Sequence, residues 1–406
     1  MNLKILMVST EYPPMHGGVG RYCERLVHSL RKNGVQVLVV CNDQGNGDIK
    51  GISPYNRNNS DLLLQLVKEN KPDLVHIQFE QGLYGIHLDP LNPSLTGTGV
   101  DLFYRECKIP TVTTFHSAYS FRQWMNLVVP LNRRRLGRFG TYLSMAYDYW
   151  THFINYRSFN QLNKRKLGPR RAGIVFSKYL ANLIPGTNLI YHGAEPPVLN
   201  PPNKGELRSK FGIPENEKIA LASGFMTATK GWDIIRKMKV PDGWKVVVNS
   251  SRNHYNLERP RRVIDNPGVI DLQKGFLNEE LLSLLFYSVD ALILPYKVSS
   301  GSGVMFDGIA HHIPFVSSNI EFFREFSEME LGIAVKRVPS SFSAALLKLE
   351  QNMERFKKAV EIFSKRLTWD EVSKEHLLLY ESLVSDSASH DLEVNLSQPT
   401  NKENHP

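Results

Sequence analysis

The chain has 406 residues, 42% of them hydrophobic and 22% charged, the balance of a soluble globular protein with room for two or three domains. Its 3 cysteines are an odd number without CxxC spacing, which argues for a reducing compartment and against a disulfide scaffold or a structural zinc site. The net charge of +9 asks for an anionic partner, and with no apolar run of membrane length and no signal-peptide core the expectation is a cytoplasmic protein.

Leu3–Ser9 reads as a buried first strand, followed by the loop TEYPPMHGGVG. Arg21–Asn33 has helical apolar spacing (Tyr22, Leu26, Val27, Leu30) and stops at Gly34. Strands are expected at Val35–Cys41, Asp73–Gln78, Ile109–His116, Ala172–Ser177 and Asn188–His192, with a helix at Asp61–Asn70 and a polar loop at Asn42–Ser60. Strands alternating with helices predict a parallel α/β domain over 1–195.

Pro196, Pro197, Pro201 and Pro202 mark a linker, and the alternation restarts after them. Strands at Lys218–Gly224, Trp244–Ser250 and Gly268–Leu272 and helices at Trp232–Met238 and Asn278–Ser288 predict a second α/β domain over 196–367. Helical stretches at Ser341–Lys365 and Thr368–Val384 close the fold, the latter opened by a Thr368/Glu371 capping box. From Ser385 the chain is polar and aperiodic, which predicts a final helix over 368–386 and a disordered tail over 387–406.

The second domain centres on LILPYKVSSGSGVMFDGIAHHIPFVSS, Leu292–Ser318: a strand, a Ser/Gly loop, a helix from near Ser302 and another strand. Such βαβ units bind ligands beyond the carboxyl ends of their strands. Gly301 and Gly303 allow close backbone approach, the helix start offers free N–H groups, and Asp307 falls one turn later, placed to accept from hydroxyls. The alternative is an ordinary loop in which Asp307 only solvates the helix.

Gly17-Gly18-Val19-Gly20-Arg21, between the first strand and helix, offers a second phosphate-accessible turn. A dinucleotide fingerprint fits poorly: Gly18 and Gly20 match and Asp43 follows the second strand, but Cys23 stands where the third glycine belongs. His76 with Glu80, and His116, lie at strand ends on the ligand side of the first sheet. Lys230, before Gly231, leaves the first strand of the second domain and could reach a phosphate; by itself it reads equally as a solvated loop lysine. No residue spacing resembles a metal set, and no Ser/His/Asp order stands out.

These motifs, in order through both domains, resemble the retaining glycosyltransferases of the two-domain GT-B fold, family 4. The carriers are the glycine loop after EYPP, HIQFEQGLYG, the strand ending in FHS, the KGW turn and the terminal TWDEV helix, over Leu3–Tyr380. The resemblance implies two Rossmann-like domains facing a cleft, with the C-terminal helix around Trp369 crossing back to the first. It implies a nucleotide-sugar donor as substrate, and neither cofactor nor metal. Gly17, Gly18 and Arg21 would approach the donor diphosphate from one side and Lys230 from the other. Asp307 would hold the ribose, Ser302, Gly303 and Val304 would border phosphate and sugar, and Lys274, Gly275 and Phe276 would lie near the base. His116 would face the transferred sugar, so that His116, Lys230 and Asp307 form the catalytic set, with His76 and Glu80 on the acceptor side. The sequence departs from the pattern at Ser299, where a glutamate is usual, at Phe225, where an arginine is usual, and at His192, where an asparagine is usual.

Ten cations and interleaved aromatics fall between Arg133 and Arg171, against one acid, Asp148. This span suits an anionic membrane surface or a lipid-phosphate acceptor, with the protein peripheral on the inner membrane face. A solvated helical pair is the competing reading. No nucleic-acid motif accompanies the charge. Oligomeric state is not legible.

Overall fold

The computed structural model describes residues 3–87, 97–126, 150, 153, 161–168, 170–252 and 264–397. The first half comprises β1 (Lys4–Val8), α1 (Gly18–Lys32), β2 (Gln36–Cys41), β3 (Ile49–Lys50), α2 (Asn59–Asn70), β4 (Leu74–Phe79), β5 (Ile86–His87), β6 (Gly97–Thr98), α3 (Asp101–Glu106), β7 (Thr111–Phe115), β8 (Arg171–Val175), α4 (Lys178–Leu183) and β9 (Thr187–Leu189). The second comprises α5 (Lys204–Phe211), β10 (Lys218–Phe225), α6 (Trp232–Lys237), β11 (Trp244–Ser251), β12 (Val269–Asp271), α7 (Glu279–Tyr287), β13 (Ala291–Leu294), α8 (Gly303–Ala310), β14 (Phe315–Ser318), α9 (Glu321–Glu328), β15 (Gly332–Val335), α10 (Pro339–Gln351) and α11 (Met353–Ser364). A long helix, α12 (Trp369–Ser397), ends the described chain.

Two parallel sheets result, seven-stranded in the order β3-β2-β1-β4-β7-β8-β9 and six-stranded in the order β12-β11-β10-β13-β14-β15. Helices covering both faces require strands that are apolar or internally satisfied on both sides; β4 and β7 are buried at every position. In each sheet the strand order reverses once, between β1 and β4 and between β10 and β13. Crevices at such reversals, beyond the carboxyl ends of the strands, are where open α/β sheets bind ligands.

The last helix packs on the first domain. Gly193 makes room for Trp369, whose ring a Cβ there would approach to 2.4 Å. Ser29 Oγ on α1 lies 3.0 Å from the Trp369 carbonyl and 2.9 Å from Ser373 Oγ. Tyr380 is fully buried among first-domain side chains. The two Rossmann-like sheets and the returning helix are thus the architecture that the motifs implied.

Two expectations need correction. The stretch Ser341–Lys365 is two helices, α10 and α11, parted at Asn352, whose side-chain amide donates to the Lys348 carbonyl at 2.9 Å. Such a local side-chain bond competes with helix continuation. The tail predicted over 387–406 is helical as far as Ser397. No glycine or proline interrupts 385–397, and extending a helix already nucleated by docked turns costs little. Residues 398–406 lie outside the described residues.

Most of the basic span also lies outside them, including Arg133, Arg134, Arg135, Arg138 and Arg157. Two of its described cations are bonded within the protein, one buried and one partly buried. Lys166 is fully buried, with Nζ 2.6 Å from Asp101 Oδ1 and 4.5 Å from the Phe79 ring centre. Arg171 donates to the Tyr104 carbonyl. Lys166 is not free to meet an external anion.

Candidate active site in the interdomain cleft

The loops after β1, β4 and β7 face those after β10 and β13 across a cleft of about 900 Å³. From the first domain come Glu11, Gly18, Arg21, Glu80 and His116; from the second come Lys230, Tyr296, Ser302 and Gly303. These residues are scattered over nearly 300 positions of sequence, and the two switch points bring them together.

On the second-domain side, the Lys230 turn is fixed by its neighbour. Gly231 has φ +77°, and a Cβ there would lie 1.8 Å from the Pro295 carbonyl oxygen, so only glycine fits. Lys230 Nζ stands 3.9 Å above the Tyr296 ring, a platform that orients the ammonium without neutralising it. Ser302 caps α8, its Oγ accepting from the Met305 N–H at 3.3 Å. The neighbouring Gly301 brings this loop against the His116 carbonyl, 3.7 Å from where a Cβ would stand.

On the first-domain side, the start of α1 is already occupied. The Glu11 carboxylate accepts from the Val19 and Gly20 N–H groups at 3.0 and 3.1 Å. Burial raises the Glu11 pKa above the ordinary carboxylate value, those two N–H groups opposing the rise. Gly20 and Gly17 are small because of Glu11: a Cβ on Gly20 would reach 2.8 Å from its carbonyl oxygen, and one on Gly17 would overlap its carboxyl group. Gly18 alone of the three has open space beside it. Glu80 accepts from Ser117 Oγ at 3.2 Å, and burial raises its pKa too.

His116 is tied to the core, its Nε2 2.9 Å from Gln78 Oε1. Burial, reinforced by His192, lowers its pKa to about 3, so the ring is neutral at working pH. Burial likewise lowers the His192 pKa to about 4, and His192 stacks on Phe306 with a 5.3 Å centroid separation.

Several predicted residues stand elsewhere. His76 is fully buried, Nδ1 2.7 Å from Tyr380 Oη and Nε2 2.7 Å from Thr114 Oγ1; on a strand covered on both faces it cannot reach the cleft. Asp307 pairs with Arg21 across the domain boundary and lines a separate recess of about 40 Å³. In this conformation Arg21 therefore takes the carboxylate expected to hold a ribose. Gly17, Val304, Lys274, Gly275 and Phe276 are not among the cleft-lining residues. Phe276 instead stacks on His16 of the glycine loop, ring centres 4.0 Å apart and 3° from parallel. Gly275 accepts from Asn249 Nδ2 at 3.0 Å.

Contacts that no sequence spacing announced join the domains. Arg25 pairs with Glu279, Gln123 Nε2 donates to Glu321 Oε2 at 3.0 Å, and Glu325 accepts from the Lys178 and Tyr179 N–H groups at 2.9 Å each. Glu11 was also unannounced, although its place just beyond the end of β1 was a usable signal. Among the described residues no group of three His, Cys, Asp or Glu side chains is arranged to hold a metal ion, and no helix is long and apolar enough to cross a membrane.

Comparison with known proteins gives this geometry a context. Residues 16–155 match the model of Glycosyltransferase Family 4. Solved structures similar over the whole chain include sucrose-phosphate synthase from Thermosynechococcus elongatus, at 14% identity and TM-score 0.62, covering 95% of this chain and 100% of that one. A glycosyltransferase from Rickettsia africae matches at 14% and 0.62, covering 94% and 99%. Anabaena HepE, in a complex with UDP-glucose, matches at 13% and 0.63, covering 94% and 100%. The chain has the GT-B fold, and residues 16–155 within its first half are similar to family 4 glycosyltransferases. No curated protein matches. In this GT-B protein the cleft between the sheets is where the fold brings loops of both domains together.

Proposed function

We propose that this GT-B protein is a glycosyltransferase that moves a sugar from a nucleotide-sugar donor to an acceptor hydroxyl with retention of anomeric configuration. The observation that carries the reading is the meeting, in one cleft, of Lys230 and the Ser302-capped start of α8 with Gly18 and Arg21. A leaving nucleoside diphosphate gains negative charge as its glycosidic bond breaks. An oriented ammonium, a guanidinium and free helix N–H groups stabilise that charge without a metal ion. The interdomain ties would hold the cleft closed during transfer, exclude water as a competing acceptor and align the two substrates. His116 would meet the sugar, and Glu80 would lie on the acceptor side of the same cleft.

The pairing of Arg21 with Asp307 fits a donor that competes for Arg21 through its diphosphate, releasing Asp307 to the ribose. A lipid-linked or membrane-associated acceptor, with the protein peripheral on the inner face of a membrane, remains part of the proposal; its support is the basic, aromatic-rich composition of Arg133–Arg171. A second reading, a non-catalytic GT-B protein that binds a nucleotide sugar or acts as a membrane-surface scaffold, is favoured by Ser299 and Phe225, which replace a carboxylate and a guanidinium of the family pattern. A thermal-shift screen against UDP-, GDP- and ADP-sugars tests both. Stabilisation by one donor, lost in Lys230→Ala and Asp307→Ala, together with slow donor hydrolysis supports transfer. Binding without turnover in the presence of lipid-phosphate acceptors supports the scaffold, and no binding at all refutes the site.

A further inference from the structure

A chain of buried polar side chains runs from the cleft through the core of the first domain to the returning helix. His116 Nε2 meets Gln78 Oε1 at 2.9 Å, Gln78 Nε2 meets His76 Nε2 at 3.3 Å, and His76 Nδ1 meets Tyr380 Oη at 2.7 Å. Gln78, His76, Thr114 and Tyr380 are all fully buried, so each polar atom must find its partner inside this chain.

The directions of these bonds follow from valence. The Gln78 amide has one acceptor, its oxygen, and donates only through nitrogen. Its nitrogen points at His76 Nε2 and at Met7 Sδ, each 3.3 Å away. His76 Nε2 is therefore a lone pair, which Thr114 Oγ1 also approaches at 2.7 Å. The His76 proton is then on Nδ1, donated to the Tyr380 oxygen. At the other end the Gln78 oxygen accepts, so His116 must carry its proton on Nε2. Turning the amide over would reverse both tautomers and set the Gln78 oxygen against Met7 Sδ, which has no proton to give, so the orientation shown keeps one more bond.

We propose that Gln78 is a positioning residue that locks His116 in its Nε2–H tautomer, leaving Nδ1, a hydrogen-bond acceptor, as the only polar ring atom available to a ligand. A neutral acceptor there welcomes a sugar hydroxyl and rejects a phosphate or carboxylate oxygen, which has no proton to give. The cleft is thereby divided by chemistry: anionic oxygens go to Lys230 and Arg21, hydroxyls to His116. His76, Thr114 and Tyr380 act through Gln78 by fixing which way its amide faces. The identity of the ligand rests on the glycosyltransferase reading; the lock does not.

The ring nitrogens report the tautomer directly. In protein labelled with 15N-histidine, the His116 resonances, assigned by their loss in His116→Asn, should show a protonated Nε2 and a bare Nδ1 in the wild type. In Gln78→Met, which keeps volume but removes the acceptor, the two tautomers should mix. A wild-type Nδ1–H form, or an unchanged tautomer in Gln78→Met, overturns the lock, and the wild-type spectrum decides even where the variant folds poorly. The kinetic arm tests the ligand: Gln78→Met should lower kcat/KM for the donor by about tenfold, the worth of one net hydrogen bond, but by less than about twofold in a His116→Ala background, where the coupled partner is gone. Equal losses in both backgrounds would mean that Gln78 acts on the cleft only through general stability, and would overturn the positioning role. A locked tautomer in a protein that consumes no nucleotide sugar would refute the transferase reading and the hydroxyl assignment with it, leaving the lock in place.

Discussion

Replacing Lys230 separates binding from folding more cleanly than any other change in the cleft. Its ammonium sits 3.9 Å above the Tyr296 ring, and among the described residues it has no acidic partner within ion-pair distance. Truncation to alanine therefore removes one cation–π contact from the fold, about 0.5–1 kcal/mol. In a chain of this length that corresponds to a few degrees at most in Tm. With a donor diphosphate bound, the same truncation removes a charge-assisted hydrogen bond of about 1.5–3 kcal/mol, roughly a 10- to 150-fold rise in Kd. Titration calorimetry with the preferred donor and with its free nucleoside diphosphate, beside urea unfolding of both proteins, measures the two quantities. Tyr296→Leu, which keeps the ammonium but removes its platform, should weaken binding by less than Lys230→Ala does. The reasoning is refuted if Lys230→Ala unfolds the protein while leaving diphosphate affinity within about threefold of the wild type.

Other consequences are local. Gly231→Ala forces a positive φ on a residue with a Cβ and drives that atom to 1.8 Å from the Pro295 carbonyl; a loss of about 2–4 kcal/mol is expected by urea melts, with weakened donor binding because the Lys230 turn shifts. Acid should destabilise the protein through its buried histidines. His116, His192 and His376 have native pKa values lowered to about 3, 4 and 4, below an unfolded value near 6.5. Across that window the unfolded chain binds more protons, so stability is held above pH 6.5 and falls as pH drops toward about 4. His376→Gln should reduce the slope of stability against pH between those limits; an unchanged slope would show that His376 ionises freely in the folded protein.

Much of this was legible in the sequence, for physical reasons that also mark where legibility stops. Strands β1, β2, β10 and β13 are short apolar runs bounded by turns, and burial on both faces makes such runs hard to mistake. The helix starts near Ser302 and at Thr368 appear where the sequence puts them, but only half of the Thr368 capping box forms: the Glu371 N–H donates to Thr368 Oγ1 at 3.4 Å, while the Glu371 carboxylate accepts from Lys374 Nζ at 2.6 Å. Burial on both faces also hid something. In β4 alternation carries no information about which side chain leaves the sheet, so His76 read as a cleft residue when it is a core one. Helix α5, capped by Asn203 with its side chain on the Glu206 N–H at 3.0 Å, was lost beside the proline cluster. The pairing of Arg21 with Asp307 joins residues 286 positions apart, and no periodicity encodes such a contact. Glu11 escaped because a carboxylate beside glycines reads as a loop residue, whereas the fold sets it on the helix start that the glycines were thought to keep open for phosphate.

The central claim is that the cleft breaks a bond between a sugar and a nucleoside diphosphate. The most direct measurement follows nucleoside diphosphate release from UDP-, GDP- and ADP-sugars by the purified protein, with the anomeric configuration of the first-formed sugar product read by proton NMR. One donor should be consumed slowly by the wild type, with retained configuration, and consumed far more slowly by Lys230→Ala. Inverted configuration would contradict the retaining mechanism, and failure to consume any donor, with hydroxyl and lipid-phosphate acceptors supplied, would contradict the claim itself.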